Sequence, residues 1–420
     1  MLKIIRCSKK NYLSQITKIL EKRRSRNDIN TSIVSKILKD IKKDGIKAVL
    51  KYEKKFSHNT KIFPTKSEIS KAIRGLDPKV KKAIDFSYAR IMKFHKLQIT
   101  KDLNYIDRYK NKIQYKSIPI QSAGCYVPQN LPSSLLMQVI PAKIAKVKKI
   151  VVVNPRVDGK LNAAVAYAAK KLNVKLVTCG GSQAIGYLTY VEKVNKITGP
   201  GNAFVTKSKQ LVSGSVGVES GILGASEICI IADDKTDINA ITWSLISQAE
   251  HGVDSECILI TKYKNIINKV INKIKKDIKT IPTKNVAIKS LKNHGKIILC
   301  KNDKQIIDIT NECSPEHLEI NLKNYKKYVS KIHNAGSVCI GKYTPMSVSD
   351  FSVGTTHLLP CYASAKFSSG LNINEYLKKV SHINLTKTGV DIIGKSATYL
   401  ANYERMFAHS ESIKSRMRRK

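Results

Sequence analysis

The sequence predicts an α/β protein: two doubly wound, Rossmann-like parallel-sheet lobes with helical N- and C-terminal extensions. Three observations carry this. Apolar, strand-like runs alternate with helical patterns from about residue 148 to residue 212. A second series of the same kind begins near residue 227. The chain of 420 residues is also too long for one small core.

Residues 1–125 read as mostly helical and strongly basic. YLSQITKILEKR and TSIVSKILKDIKKDGIKAVLKYEKKF place apolar residues three and four apart. KNKIQYKSIPIQSAGCYVP then alternates like a strand. VKKIVVVNP, VKLVTCGG and VNKITGPG follow as strands, with LNAAVAYAAKKL, SQAIGYLTY and NAFVTKSKQLV as the helices between and after them. Such alternation predicts a parallel sheet with right-handed crossovers. The second series runs SEICIIADD, DINAITWSLISQAEHG, ECILIT, NIINKVINKIKKDI and GKIILC. The last fifty residues read as a helical tail ending in RMRRK. The expected division is an N-terminal helical arm over 1–20 and a first lobe from 21–125 plus 228–370. An inserted second lobe covers 126–227, and the tail covers 371–420.

Composition narrows the class. Lys and Arg number 75 against 31 Asp and Glu, a net charge of +44. Only 12 of the 75 are Arg, leaving 63 Lys, spread along the chain without interleaved aromatics. Sequence-specific nucleic-acid recognition leans on Arg and on stacking residues, so no specific nucleic-acid partner is expected. A chain rich in Lys, Ile and Asn fits drift in an AT-rich genome, with salt-dependent RNA affinity as a by-product. No run of 18 apolar residues suggests a membrane span, and the N-terminus lacks a signal-peptide pattern. Nine scattered cysteines form no C-x-x-C, as in a reducing compartment. The expected location is cytoplasmic.

Several clusters suggest chemistry. G-x-G-x-x-G is absent. Gly180-Gly181 and Gly199-Pro200-Gly201 each stand between a strand and a helix, where a pyrophosphate could sit or where the chain merely turns. Gln248 and His251 are three apart at a helix end and could bind one metal, or simply form a solvated C-terminus. Ser314-Pro315-Glu316-His317 reads as a helix start. His317 would then be held neutral by the dipole as a general base, with Glu316 beside it to deprotonate a water. Asp350, in a polar loop, is an oxygen ligand or a cap. Glu404 and His409 stand about 140° apart on a helix. They face one site only if the helix ends or distorts between them.

Taken together, G-C-Y-V-P, G-G-S-Q-A-I, G-P-G-N-A-F-V, S-Q-A-E-H-G, P-E-H-L, G-S-V, D-F-S-V-G-T-T-H-L-L-P and E-R-M-x-A-H resemble the histidinol dehydrogenase family in order and spacing. The resemblance covers nearly the whole chain. It implies oxidation of L-histidinol through L-histidinal to L-histidine, the last step of histidine synthesis, with two NAD reduced in turn. It implies one zinc per subunit, held by Gln248, His251, Asp350 and His409. Glu316 is then the residue that activates water and His317 the acid/base. The implied substrate contacts are Ser226, Gln248, His251, His317, Asp350, His357, Glu404 and His409. The implied cofactor contacts are Tyr126, Gln183 and Asn202. A homodimer is implied too, each active site completed by the neighbouring C-terminal tail.

The sequence departs from the family pattern in places. Pro128-Gln129-Asn130 replaces P-G-G, and Leu223-Gly224-Ala225-Ser226-Glu227 replaces A-G-P-S-E. Glu219 stands for an aspartate, Met346 for a glutamate and Ser349 for a glycine. Two other readings compete. One is an aldehyde dehydrogenase using a cysteine nucleophile such as Cys313. The other is a drifted homologue with reduced or no catalysis that binds nucleic acid non-specifically through its basic surface.

Overall fold

The computed structural model describes residues 2–7, 11–24, 31–221 and 224–417. Leu223 and the last three residues of the basic end lie outside them. The first strands in chain order are β1 (Lys3–Arg6), β2 (Leu103–Ile106), β3 (Lys112–Pro119), β4 (Ser122–Tyr126), β5 (Lys149–Val153), β6 (Lys175–Val177) and β7 (Lys196–Thr198). They continue as β8 (Gly217–Val218), β9 (Glu227–Ala232), β10 (Glu256–Thr261), β11 (Lys296–Leu299), β12 (His317–Asn321), β13 (Ser337–Ile340) and β14 (Leu377–Asn384).

Two compact units are formed. The first, Met1–Gln98 with Gln121–Tyr376, holds both parallel sheets. One is five-stranded in the order β6-β5-β4-β7-β8, the other six-stranded in the order β1-β11-β10-β9-β12-β13. The two predicted series supply β5, β6 and β7 of the first sheet and β9, β10 and β11 of the second. Every residue of β9 and β10 is buried, as a parallel sheet covered on both faces requires. Alternation along β9 sends Ile228 and Ile230 into one apolar cluster and Cys229 and Ile231 into another. A third cluster packs Val151, Val153, Val177 and Ile197 of the five-stranded sheet against Ile41 and Tyr187.

The second unit, Ile99–Ile120 with Leu377–Lys420, has an antiparallel sheet in the order β14-β3-β2 and the helices Lys387–Tyr403 and Phe407–Lys414. Helices occur near both ends, as expected, but each end also contributes a strand. β1 joins the edge of the six-stranded sheet, and β14 pairs β3 from Leu377↔Pro119 to Asn384↔Lys112. Partners roughly 260 to 290 residues away decide these segments, not local periodicity. No helix among the described residues is long and apolar enough to cross a membrane.

Glu192 shows how lysines are used in the five-stranded lobe. Its carboxylate, mostly buried, meets Lys149 and Lys175 at 2.7 Å each and accepts from Tyr187 OH at 2.5 Å. Burial opposes ionisation there, but these partners outweigh it and hold the pKa down, from 4.5 to about 2. A depressed carboxylate adds stability above its unfolded pKa and loses it as pH falls toward the folded one. Glu192→Gln should therefore cost about 1 kcal/mol near neutral pH, a modest figure because both lysines are half exposed and screened. In thermal melts the gap to the parent should narrow as pH drops from 4.5 toward 2. A gap that stays constant would show that the ion pairs contribute nothing.

Candidate active site

The carboxyl ends of β4 and β7 meet the amino ends of β9 and β12 around a cavity of about 540 Å³. Ser226, just before β9, lines it, and so do Glu316 and His317 at the start of β12. His251, two residues beyond the helix Ile238–Ala249, stands at its rim. Asp350, which ends the short helix Met346–Ser349, and His357 complete the polar wall. Of the three cofactor contacts that the resemblance implies, Asn202 lines the cavity, together with Pro128, Pro200 and Gly201, while Tyr126 and Gln183 do not.

The predicted helix start at Ser314 is instead a helix end. Ser314 is left-handed at φ 45° and closes the helix Asp303–Cys313, its N–H donating to Thr310 O at 3.0 Å. Pro315 cannot continue that helix, and β12 begins at His317. His317 therefore stands in a strand and not in the first turn of a helix, so the predicted helix-start dipole is not what keeps it neutral. Burial first, and His251 and His357 next, push its pKa down to about 3. At neutral pH it is an uncharged base. His317 Nε2 lies 3.5 Å from Asp350 Oδ1 and 3.9 Å from Glu316 Oε1.

Burial pushes the Glu316 carboxyl well above its usual range, against the Glu227 N–H that donates to Oε2 at 2.8 Å. Burial also raises Asp350, to about 7. His251 is lowered by lost hydration and places Nδ1 3.2 Å from Ser226 Oγ.

Sequence reasoning missed Ser134. His357 Nδ1 donates to the Asp350 carbonyl at 2.8 Å, so its Nε2 must accept the Ser134 hydroxyl at 2.7 Å. Burial lowers the pKa of His357 to about 4, which keeps this arrangement neutral. The signal was a serine on the inward face of the apolar helix Pro132–Ile144.

Gln248 is fully buried, and neither atom of its side-chain amide has a hydrogen-bond partner. Asp350 Oδ1 is likewise buried without a hydrogen-bond partner. Orphaned oxygen donors of this kind are costly unless a cation completes them. With His251 they fit an N/O metal site. Among the described residues no group of three or more His, Cys, Asp and Glu could hold a metal ion. A site here thus leans on the glutamine. Glu404 and His409 belong to the second unit and are exposed. The helix does end between them: it stops at Tyr403, Arg405 is left-handed at φ 59°, and a new helix starts at Phe407.

Of the two glycine turns, the first is closed to a phosphate. Glu53, fully buried, accepts from Gly180 N–H at 2.8 Å and from Gln183 Nε2 at 2.7 Å. The chain's own carboxylate fills that helix start. Gln183 and Tyr126 are buried around it, Tyr126 OH accepting from Gly181 N–H at 3.3 Å. The second turn faces the cavity. Gly199 has φ 122°, and a Cβ there would lie 2.0 Å from Tyr126 O, so only glycine fits. Asn202 caps the next helix by accepting from Val205 N–H at 3.1 Å.

The Pro128-Gln129-Asn130 turn needs no glycine, because none of the three has a positive φ. Asn154 Nδ2 donates to the carbonyls of Val127, Pro128 and Gln129 and fixes it.

A family model of histidinol dehydrogenase matches residues 20–417. The chain is 47% identical to a histidinol dehydrogenase of Pelagibacter ubique over the full length of both. Its structure is similar to the crystal structure of histidinol dehydrogenase from Elizabethkingia anophelis, with TM-score 0.91 and 30% identity, over 99% of this chain and 98% of that one. An acetylating aldehyde dehydrogenase from Geobacillus thermoglucosidasius matches with TM-score 0.50 and 12% identity over 90% of this chain and 99% of that one, a likeness of fold alone. With the family match spanning nearly its whole length, this chain belongs to the histidinol dehydrogenase family of oxidoreductases.

Proposed function

We propose that this protein oxidises L-histidinol through L-histidinal to L-histidine with two molecules of NAD, as a zinc-dependent cytoplasmic homodimer. One observation carries the reading most: Glu316 and His317 lie side by side, buried, in a cavity rimmed by Ser226, His251, Asp350 and His357. Alcohol oxidation needs a base for the hydroxyl proton, and His317 is neutral at physiological pH and available for it. The aldehyde has no second hydride to give until water adds. Glu316 takes a proton from that water, so that a hydrate carries the hydride on its carbon. The raised proton affinity of Glu316 suits it to accept that proton. His357 and Ser134 form a neutral hydrogen-bonded wall beside the substrate.

Gln248, His251, Asp350 and His409 would hold zinc, which would orient the substrate's imidazole and amine while nicotinamide accepts hydride. Asn202 and the Gly199–Gly201 turn are the cofactor contacts best supported, with Tyr126 and Gln183 behind them. Glu404 and His409 would come from the tail of the second copy. Tyr399, Tyr403 and Phe407, on the same tail, are 78%, 87% and 64% exposed, which suits an interface.

The cysteine-nucleophile alternative has little to rest on. Cys313 does not line the cavity. Cys361 does, but burial first, then Glu316 and Glu227, push its thiol well above 9. The test is NADH formation with L-histidinol before and after EDTA. Turnover should be present and should fall away with the metal. A parent enzyme that reduces no NAD with L-histidinol would overturn the reading.

A further inference from the structure

Arg23 sits at the end of the helix Tyr12–Arg24 and is buried beneath the active site, although it touches none of the groups assigned above. Its guanidinium is fully used. Nη1 meets Glu227 Oε1 at 2.6 Å and Glu256 Oε2 at 3.4 Å. Nη2 donates to Ala225 O and to Asp254 O, both at 3.1 Å, and Nε donates to Asp254 O at 3.3 Å. The planar group also lies over the Tyr362 ring, 4.9 Å from its centre.

Two of these contacts flank Ser226, holding the residue before it by its carbonyl and the residue after it by its carboxylate. Glu227 then makes two further bonds. Its N–H donates to Glu316 Oε2 at 2.8 Å, and its Oε1 accepts from Tyr362 N–H at 2.9 Å. Glu256 has a second cation in Lys296. Among the described residues Arg23 is the cation paired with Glu227.

We propose that Arg23 is a positioning residue for the aldehyde-to-acid step, acting through Glu227 to fix the carboxylate of Glu316 and through Ala225 to fix Ser226. The proposal rests on the oxidation assigned to this site. Without the guanidinium, Glu227 is a buried carboxylate without its cation beside a second carboxyl group. It must move or take a proton, and the backbone N–H that orients Glu316 moves with it. Lysine does not substitute, since one ammonium cannot span two carbonyls and a carboxylate and stack on a ring as well.

The test uses full-length Arg23→Lys, Arg23→Met and Arg23→Met/Glu227→Gln. Oxidation of L-histidinal and the first hydride transfer from L-histidinol are measured separately, alongside thermal unfolding. In Arg23→Lys the kcat for L-histidinal should fall about 10²-fold, the scale of a small misplacement of a catalytic group. KM for NAD should change less than about threefold, because the cofactor side is untouched. Removing the stranded charge in the double variant should recover about tenfold over Arg23→Met.

Equal losses in both half-reactions, tracking the folded fraction, would reduce Arg23 to a staple between helix and sheet and overturn the proposal. A double variant no better than Arg23→Met would do the same. Backbone hydrogen exchange gives a readout independent of substrate. Residues 225–227 and 362 should exchange faster in Arg23→Met while β10 and β11 stay protected. Unchanged exchange there would overturn the inference, whereas a parent inactive on L-histidinol would overturn only the assigned reaction.

Discussion

His317→Asn should slow both oxidations, on the order of 10²–10⁴-fold, the range typical when a general base is removed. Asparagine keeps a hydrogen-bonding edge in a smaller side chain but cannot take a proton. The site has no ready replacement: His251 stands at the rim, bonded to Ser226, and both nitrogens of His357 are engaged. Glu316→Gln should behave differently. The alcohol step should survive largely intact, and the aldehyde step should slow by a similar factor, because only there must water lose a proton. The amide also keeps an oxygen to accept the Glu227 N–H, so its geometry is preserved. Single-turnover NADH formation from each substrate separates the steps. A Glu316→Gln enzyme that oxidises L-histidinal as fast as the parent would remove the water-activating role.

His251→Ala should lose bound zinc and turnover together. Loss of one of the two proposed imidazoles would leave Gln248, Asp350 and His409, a set with a single nitrogen donor that should hold zinc weakly. Metal analysis of the purified variant reads this directly, and full occupancy would contradict the ligand assignment. The same variant tests the shared site. His251→Ala and His409→Ala should each be inactive. Co-expressed, they put both defects in one site of each mixed dimer and leave the other whole. With random pairing about a quarter of parental activity should return, as two-fold symmetry requires. A mixture that stays inactive despite proven heterodimers would place each site within one chain.

Much of the fold was legible because parallel strands buried on both faces write themselves as unbroken apolar runs. IVVV and EICIIA became β5 and β9 with little shift of boundary. Segments decided by distant partners were not legible. Nothing local distinguishes LKKVSHIN as the partner of β3, and nothing in the N-terminal helix says that Arg23 meets Glu227 across 204 residues. Pro315 illustrates the opposite failure. Ser-Pro-Glu is good helix-start chemistry, yet the preceding helix already occupied that stretch and ended in a left-handed serine. The candidate site was legible as residue types, while the reason for its protonation states was not. Burial, not a dipole, sets His317, and burial is a property of the assembled sheet.

The carboxylate of Glu53 at the Gly180-Gly181 turn bears on residence time. A dinucleotide held at two strand-to-helix turns leaves slowly. Here Glu53 occupies one of the two from within, so a dinucleotide bound as proposed would have a single grip, at the Gly199 turn. In the two-step oxidation proposed above, one reduced nicotinamide would have to leave and a fresh one enter while a reactive aldehyde waits, and loose tenure of the cofactor would be an asset. On that reading the Glu53 plug would make the dinucleotide the lodger that leaves between hydride transfers and the substrate the one that stays.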